Sequence, residues 1–137
     1  MSLVVRRYQD SDKEIVNKMV LENFSYEKKK EDIPDNVYEY VLEANTKVVG
    51  YFVLTKNWDI VKNISYFLVD YVCIDLENQG QGYGQYMINY IKELAKEDNI
   101  SFIQLTCSSK RACARHIYEK CGFLEAQTNL FRLVIEW

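Results

Sequence analysis

The stretch Asp70–Gln85, DYVCIDLENQGQGYGQ, decides how the rest of the chain is read. Its first part continues a run that begins at Leu68 and Val69: Tyr71, Val72, Cys73 and Ile74 are mostly β-branched or aromatic, the composition of a strand buried on both faces. Asp75–Asn78 is polar and ends the run. Gly80, Gly82 and Gly84, three of the five glycines in the chain, then fall at alternate positions. Such a cluster lets successive main-chain N–H groups converge on an anion and lets a ligand approach the backbone closely. The helix expected after it adds the positive end of its dipole, so strand, turn and helix N-terminus together form a site for phosphate or pyrophosphate.

Three glycine motifs compete for this turn. The dinucleotide pattern G-x-G-x-x-G fails, because counting from Gly80 puts Gln85 at the third glycine position. The Walker pattern fails, because no Gly-Lys-Ser/Thr follows. The pattern that fits is Gln/Arg-x-x-Gly-x-Gly/Ala, filled by Gln79, Gly82 and Gly84. On these residues the stretch resembles the acyl-CoA pyrophosphate loop of the GNAT superfamily of N-acetyltransferases. Taken alone, the glycines also suit a tight strand-to-helix turn with no ligand.

Downstream, residues 82–98 carry Met87, Ile88, Ile91, Leu94 and Ala95 on one stripe, with Lys92, Glu93, Lys96 and Glu97 opposite, the pattern of an amphipathic helix. Residues 101–107, SFIQLTC, read as a strand. A helix is expected over 110–120, capped by Ser108 or Ser109 and stopped by Gly122. Residues 123–126 and 130–137 read as two final antiparallel strands around a turn at 127–129. Strand 66–75, helix 82–98 and strand 101–107 make a right-handed parallel crossover.

A second segment strengthens the resemblance. Ala114–Phe123, ARHIYEKCGF, is similar to the Ala-x-x-Phe-Tyr-x-x-x-Gly-Phe segment that ends the acyl-CoA half of GNAT proteins. One helix and one strand fit between Gly82 and Tyr118, as that fold requires. The resemblance covers residues 66–126 closely and the N-terminal third by element order alone. Short identities around Gln79–Gly82 and Tyr118–Phe123 also look like the glucosamine-6-phosphate N-acetyltransferase branch, which does not fix a substrate.

Upstream, residues 4–8 read as a strand and 11–24 as a helix with Ile15, Val16, Met19, Val20 and Phe24 on its apolar face, capped by Asp10 and Ser11. Residues 25–36 are polar and close on Pro34, the only proline; a short helix over 26–32 or a plain connection both fit, and an acceptor-side lid is the functional reading. Residues 37–44 and 47–56 form a hairpin around Asn45 and Thr46, with Tyr38, Tyr40 and Leu42 on one face and Glu39 and Glu43 on a wetter one. Gly50 in the return strand points to a bulge or a close backbone approach. Residues 57–65 show no clean period and read as loop. The expected architecture is therefore one α/β domain, a mixed sheet of about seven strands with flanking helices, GNAT-like.

Composition sets the outer bounds. The 137 residues are 48% hydrophobic and 27% charged, an ordinary globular balance for a single domain. The net charge of −3 and the dispersal of the lysines argue against nucleic acid as a partner; Lys28–Lys30 is flanked by Glu27, Glu31 and Asp32 and reads as a solvated face. The four cysteines have no C-x-x-C spacing and there is one histidine, so no metal site is expected. No apolar run nears the ~20 residues that span a bilayer, and no signal peptide is visible, so a cytoplasmic protein with reduced thiols is expected.

The resemblance implies a set of roles. Cys73 and Ile74 lie where family members pair main chain with the pantetheine arm, and an amide near there polarises the thioester carbonyl. Gln79, Gly80, Gln81, Gly82, Tyr83, Gly84 and Gln85 lie where main-chain N–H groups cradle the pyrophosphate. Tyr118 occupies the position of the general acid for the departing CoA thiolate. Two positions depart from the pattern: many members carry Asn seven residues before that tyrosine, where this chain has Arg111, and Ile117 replaces the phenylalanine. Arg111 in that place suits phosphate, the pantetheine arm or solvent. His116, on the same helix, reads as solvated or capping rather than as a base.

For the general base, strict alternation along the strand puts Asp70 and Ile74 on one face, and some family members use an acidic residue there; a strand-end carboxylate paired with Lys or Arg is the structural alternative. Glu22 and Glu43 are weaker candidates. The resemblance implies transfer of an acetyl group from acetyl-CoA to the primary amine of a small molecule or peptide by direct attack, without metal. A CoA-binding module or sensor without acceptor turnover, and a nucleotide-binding domain, are the competing readings. The apolar segment 130–137 offers an edge for a homodimer.

Overall fold

The computed structural model describes residues 2–28, 32–107 and 112–135, the side chains of 112–114 excepted. Its elements are β1 (Leu3–Arg7), a 3-10 turn at Asp10–Asp12, α1 (Lys13–Phe24), β2 (Val37–Ala44), β3 (Lys47–Asp59), β4 (Ile64–Ile74), a 3-10 turn at Leu76–Asn78, α2 (Tyr83–Glu97), β5 (Phe102–Leu105) and α3 (Ala112–Lys120). The five strands form one sheet in the order β1-β2-β3-β4-β5. All neighbours are antiparallel except β4 and β5, which α2 joins in parallel.

The two sheet faces have separate cores. On one, Val16, Met19 and Val20 of α1 pack with Val41, Tyr51 and Cys73. On the other, Met87, Ile88 and Ile91 of α2 pack with Leu42, Phe52, Leu54, Phe67 and Val69. Helices on both faces explain why the centres of β3 and β4 read as nearly continuous apolar runs rather than as alternating ones. Gly50 is fixed by the second core: a Cβ there would lie 3.0 Å from Met87 Sδ and 3.2 Å from both Leu42 Cβ and Ile74 Cδ1. The register slips next to it, between Leu42 and Glu43, so the bulge and the close approach coincide.

Two sequence expectations need correction, and one open alternative is narrowed. The sheet has five strands among the described residues, not about seven, because 123–135 forms no strand there. Extended propensity needs a partner edge to become a ladder, and Leu124, Leu130, Phe131, Leu133, Val134 and Ile135 instead stand 61–92% exposed. The tract 57–65 is not a loop but the tip of the β3–β4 hairpin; Asp59 Oδ1 accepts from the N–H groups of Val61 and Lys62 and closes the turn at 3.1 and 3.0 Å. Residues 26–28 are not helical, and 29–31 lie outside the described residues.

The α1 start is held by charge. Asp12, 4% exposed, accepts from Arg6 Nη1 and Nη2 at 2.8 and 2.9 Å and from Gln9 N–H at 2.8 Å. Arg6 also pairs with Glu43. Glu43 is thereby a structural anion, and Glu22 sits 3.9 Å from Lys18 one turn back on α1. Among the described residues no helix is long and apolar enough to cross a membrane.

Candidate functional site

The site begins where the sheet opens. The parallel ladder between β4 and β5 runs only from Tyr66 opposite Phe102 to Val69 opposite Leu105. Beyond it the two strands part, and the gap forms a cleft of about 310 Å³. Asp70, Tyr71 and Val72 of β4 line one wall, Thr106 and Cys107 continue the wall from β5, and Tyr118 of α3 and Phe24 of α1 reach it from opposite sides of the sheet.

A bulge in β4 shapes that wall. Val53 opposes Asp70, but Tyr51 opposes Cys73, so β4 spends one extra residue over this interval. Tyr71 takes it up with φ +55°, a left-handed conformation costing roughly 1–2 kcal/mol for a residue with a side chain. Its ring is set edge-on against Phe24, centroids 5.0 Å apart.

The bulge corrects the alternation argument. Asp70 shares the α1 face with Val53, Tyr51 and Cys73, whereas Ile74 packs on the α2 face. Asp70 and Ile74 are not on one face, because a period of two does not survive an inserted residue. Asp70 stands at the cleft, open to solvent on one side, and desolvation by the wall holds its pKa above the usual carboxylate range.

Main-chain directions follow from one bond. Asp75 N–H donates to Val49 O at 2.8 Å, so in the antiparallel ladder Asp75 and Cys73 turn their polar main chain toward β3, and Ile74 turns its own toward the open edge. The Ile74 carbonyl accepts there from Asn23 Nδ2 at 3.1 Å and Gln79 Nε2 at 3.3 Å. Cys73, 3% exposed, therefore offers the cleft neither main chain nor side chain. Val72 does line it.

The turn after β4 is tied down by side chains. Asp75 Oδ1 accepts from Glu77 N–H at 3.3 Å, and Gln79 Nε2 also reaches Asn23 Oδ1 at 3.3 Å. Gln79 thus staples the turn to α1 and β4. Gly82 caps α2 in the left-handed region, φ +81°, and Gly80 has φ +80°. The first hydrogen bond across this end joins Tyr86 N–H to Gly82 O at 3.1 Å, so the N–H groups of Tyr83, Gly84 and Gln85 precede it at an end with no side-chain cap. The Tyr83 side chain is buried in the α2 core with its hydroxyl donating to Gln81 Oε1 at 3.1 Å, which leaves its main chain for the loop.

A Cβ on Gly80, Gly82 or Gly84 would meet no protein atom within 4 Å. For Gly84, inside the first helical turn, neither steric crowding nor a left-handed φ requires glycine, and a helix interior disfavours it by about 1 kcal/mol. Open space over a bare helix N-terminus leaves room for an anion at those N–H groups. Arg111 lies outside the described residues. His116 is exposed and is not among the residues lining the cleft.

Sequence reasoning missed Asn23, Val72 and Arg132. Asn23 looks like the polar face of α1, and only the Ile74 and Gln79 contacts reveal it. Arg132 lines the cleft from the C-terminal segment, where an unpaired extended tract gives no positional signal.

Comparison with known proteins bears on the family and the fold. The sequence model of the acetyltransferase (GNAT) family matches residues 6–123. Among curated proteins, none matches the sequence. Three solved structures illustrate the fold. A transcriptional regulator from Bacillus halodurans C-125 is 20% identical with TM-score 0.84, over 98% of this chain and 100% of that one. A ribosomal-protein-alanine N-acetyltransferase from Brucella melitensis biovar Abortus 2308 is 14% identical with TM-score 0.77, over 100% of both. A glucosamine-6-phosphate N-acetyltransferase from Arabidopsis thaliana is 14% identical with TM-score 0.76, over 97% and 99%.

Proposed function

The chain belongs to the acetyltransferase (GNAT) family, and from that premise we propose that it moves an acetyl group from acetyl-CoA to a primary amine by direct attack. The observation that carries the reading is the cleft where β4 and β5 part, lined by Asp70 and Tyr118, on a strand that leads into the glycine turn and the uncapped N-terminus of α2.

In this reading the N–H groups of Tyr83, Gly84 and Gln85, with the Gly80–Gly82 turn, hold the pyrophosphate. Val72 N–H, beside the bulge, polarises the acetyl carbonyl as charge develops on its oxygen. The amine enters neutral, its proton having passed to Asp70 directly or through one water; the raised pKa of Asp70 improves it as a base. A C–N bond forms and the C–S bond breaks; the proton that the acylated nitrogen sheds passes through water to the Tyr118 phenolate, and Asp70 returns the proton it took to solvent. Tyr118 donates its phenolic proton to the departing sulfur, whose thiol has an ordinary pKa of ~8.5 and leaves poorly as a bare thiolate at neutral pH. Alignment of amine and thioester supplies a large part of the rate.

The test is release of CoA thiol from acetyl-CoA, with and without amines, by the wild-type chain and by Tyr118→Phe. Amine-dependent release that the substitution abolishes supports the reading. Acetyl-CoA binding without release for any amine supports a CoA-binding module instead.

A further inference from the structure

A second cavity, of about 250 Å³, lies on the α1 face of the sheet. Tyr71, the bulge residue, lines both this cavity and the cleft. Val53, also in its lining, is the ladder partner of Asp70. The two spaces therefore share the bulge residue as a wall, beside the carboxylate assigned to take the amine's proton.

The walls are apolar: Val20, Tyr26, Ile33, Val37, Val53 and Tyr71. The polar groups are largely satisfied within the protein. Glu39 Oε2 accepts from Tyr51 Oη at 2.6 Å and lies 3.3 Å from Lys28 Nζ, with both charged side chains under 10% exposed. Lys28 also sits over the Tyr8 ring, 4.3 Å from its centroid. Burial opposes the Lys28 charge, but Glu39 and Tyr8 outweigh it and raise its pKa, so the lysine remains an ammonium bound to its own carboxylate. Glu27 adds a second anion, and no second cation stands among the described lining residues.

Building on the acetyl-transfer reading, we infer that this cavity receives the acceptor's body, and that the acceptor is a primary amine on an uncharged aromatic or branched aliphatic body. A phosphorylated or carboxylated amine would bring its anion beside Glu27 and Glu39 into a space whose one cation among the described lining residues is already engaged, and would lose hydration without a counter-charge there. An apolar body loses nothing there and is held by the side chains that line the space.

The experiment measures thiol release with phenethylamine and with glucosamine 6-phosphate at saturating acetyl-CoA, on wild type and on Tyr26→Ala, alongside calorimetric binding of acetyl-CoA alone. Tyr26 is 64% exposed, so its truncation spares the cores. The inference expects kcat/KM for phenethylamine at least 100-fold above that for glucosamine 6-phosphate, and a fivefold or greater rise in the KM for phenethylamine in Tyr26→Ala with acetyl-CoA affinity unchanged. Equal use of both amines, preference for the phosphorylated one, no turnover of phenethylamine despite acetyl-CoA binding, or a Tyr26→Ala variant with unaltered KM overturns it and leaves acetyl-CoA use intact. No binding of acetyl-CoA overturns the underlying reading as well.

Discussion

Asp70 stands opposite Val53 in the β3–β4 ladder, yet three residues further along β4 the chain has advanced only two positions against β3. That one inserted residue is taken up at Tyr71, which lines the cleft together with Val72. It also keeps Asp70 on the face of the second cavity. The site is thus a consequence of broken sheet regularity, stabilised by cores on both faces.

On the proposed mechanism Tyr118→Phe removes the proton given to the departing thiolate, and it leaves the ring against Phe123, 6.0 Å between centroids. General-acid contributions are typically 10²–10⁴-fold, so kcat is expected to fall by about 10² while acetyl-CoA affinity stays. Steady-state thiol release plus calorimetry checks it; an unchanged kcat removes Tyr118 from the chemistry.

Asp70→Asn separates stability from activity. The folded state holds the Asp70 proton more tightly than the unfolded chain, because desolvation opposes the charge. Stability from this group is therefore greatest below the unfolded value of 3.8 and declines as pH rises through the folded value. The amide is expected to raise Tm at pH 7 and to leave it little changed at pH 3, while the acidic limb of the kcat/KM profile disappears. Thermal melts at the two pH values, with a pH–rate profile, decide the point.

Two glycine substitutions in the loop are expected to diverge. Gly82→Ala forces a left-handed φ of +81° on a side chain and costs about 1 kcal/mol of stability. Gly84→Ala meets no protein atom and improves helix propensity, raising stability by about 1 kcal/mol while placing a methyl in the proposed pyrophosphate site. Urea denaturation together with acetyl-CoA titration of both variants tests this; a Gly84→Ala variant with full affinity would remove the ligand reason for that glycine.

Acid sensitivity is expected to centre on Asp12. Its hydrogen bonds from Arg6 come first among the influences that hold its pKa below the usual 3.8, outweighing burial. The stability it lends is complete above 3.8 and is lost as pH falls through the lower folded value. Asp12→Asn leaves Arg6 with a weakened partner set and is expected to cost about 3 kcal/mol at pH 7, with the difference from wild type shrinking below pH 3, as urea midpoints across that range would show.

Much of this was legible in the sequence because it rests on local pattern. The β4 run, the glycine turn and the α2 stripe carry their own periodicity, and the parallel crossover follows from their order. The bulge was not legible, since an inserted residue leaves the apolar composition unchanged and only ladder partners reveal it. Glu39 was misread as part of a wetter face because it alternates with Tyr38 and Tyr40; the covering by Lys28 and Tyr51 comes from distant segments. The tract 130–135 has strand composition without a strand, because composition does not supply a neighbouring edge.

Equilibrium unfolding with and without acetyl-CoA, alongside CoA, ATP and NAD, tests the central claim most directly. A ligand present at 100 times its dissociation constant adds about 2.7 kcal/mol to the folded state. The account predicts that gain for acetyl-CoA and CoA and not for ATP or NAD. No gain with either CoA species, or an equal gain with ATP, would contradict it and reduce Gly80, Gly82 and Gly84 to a structural turn.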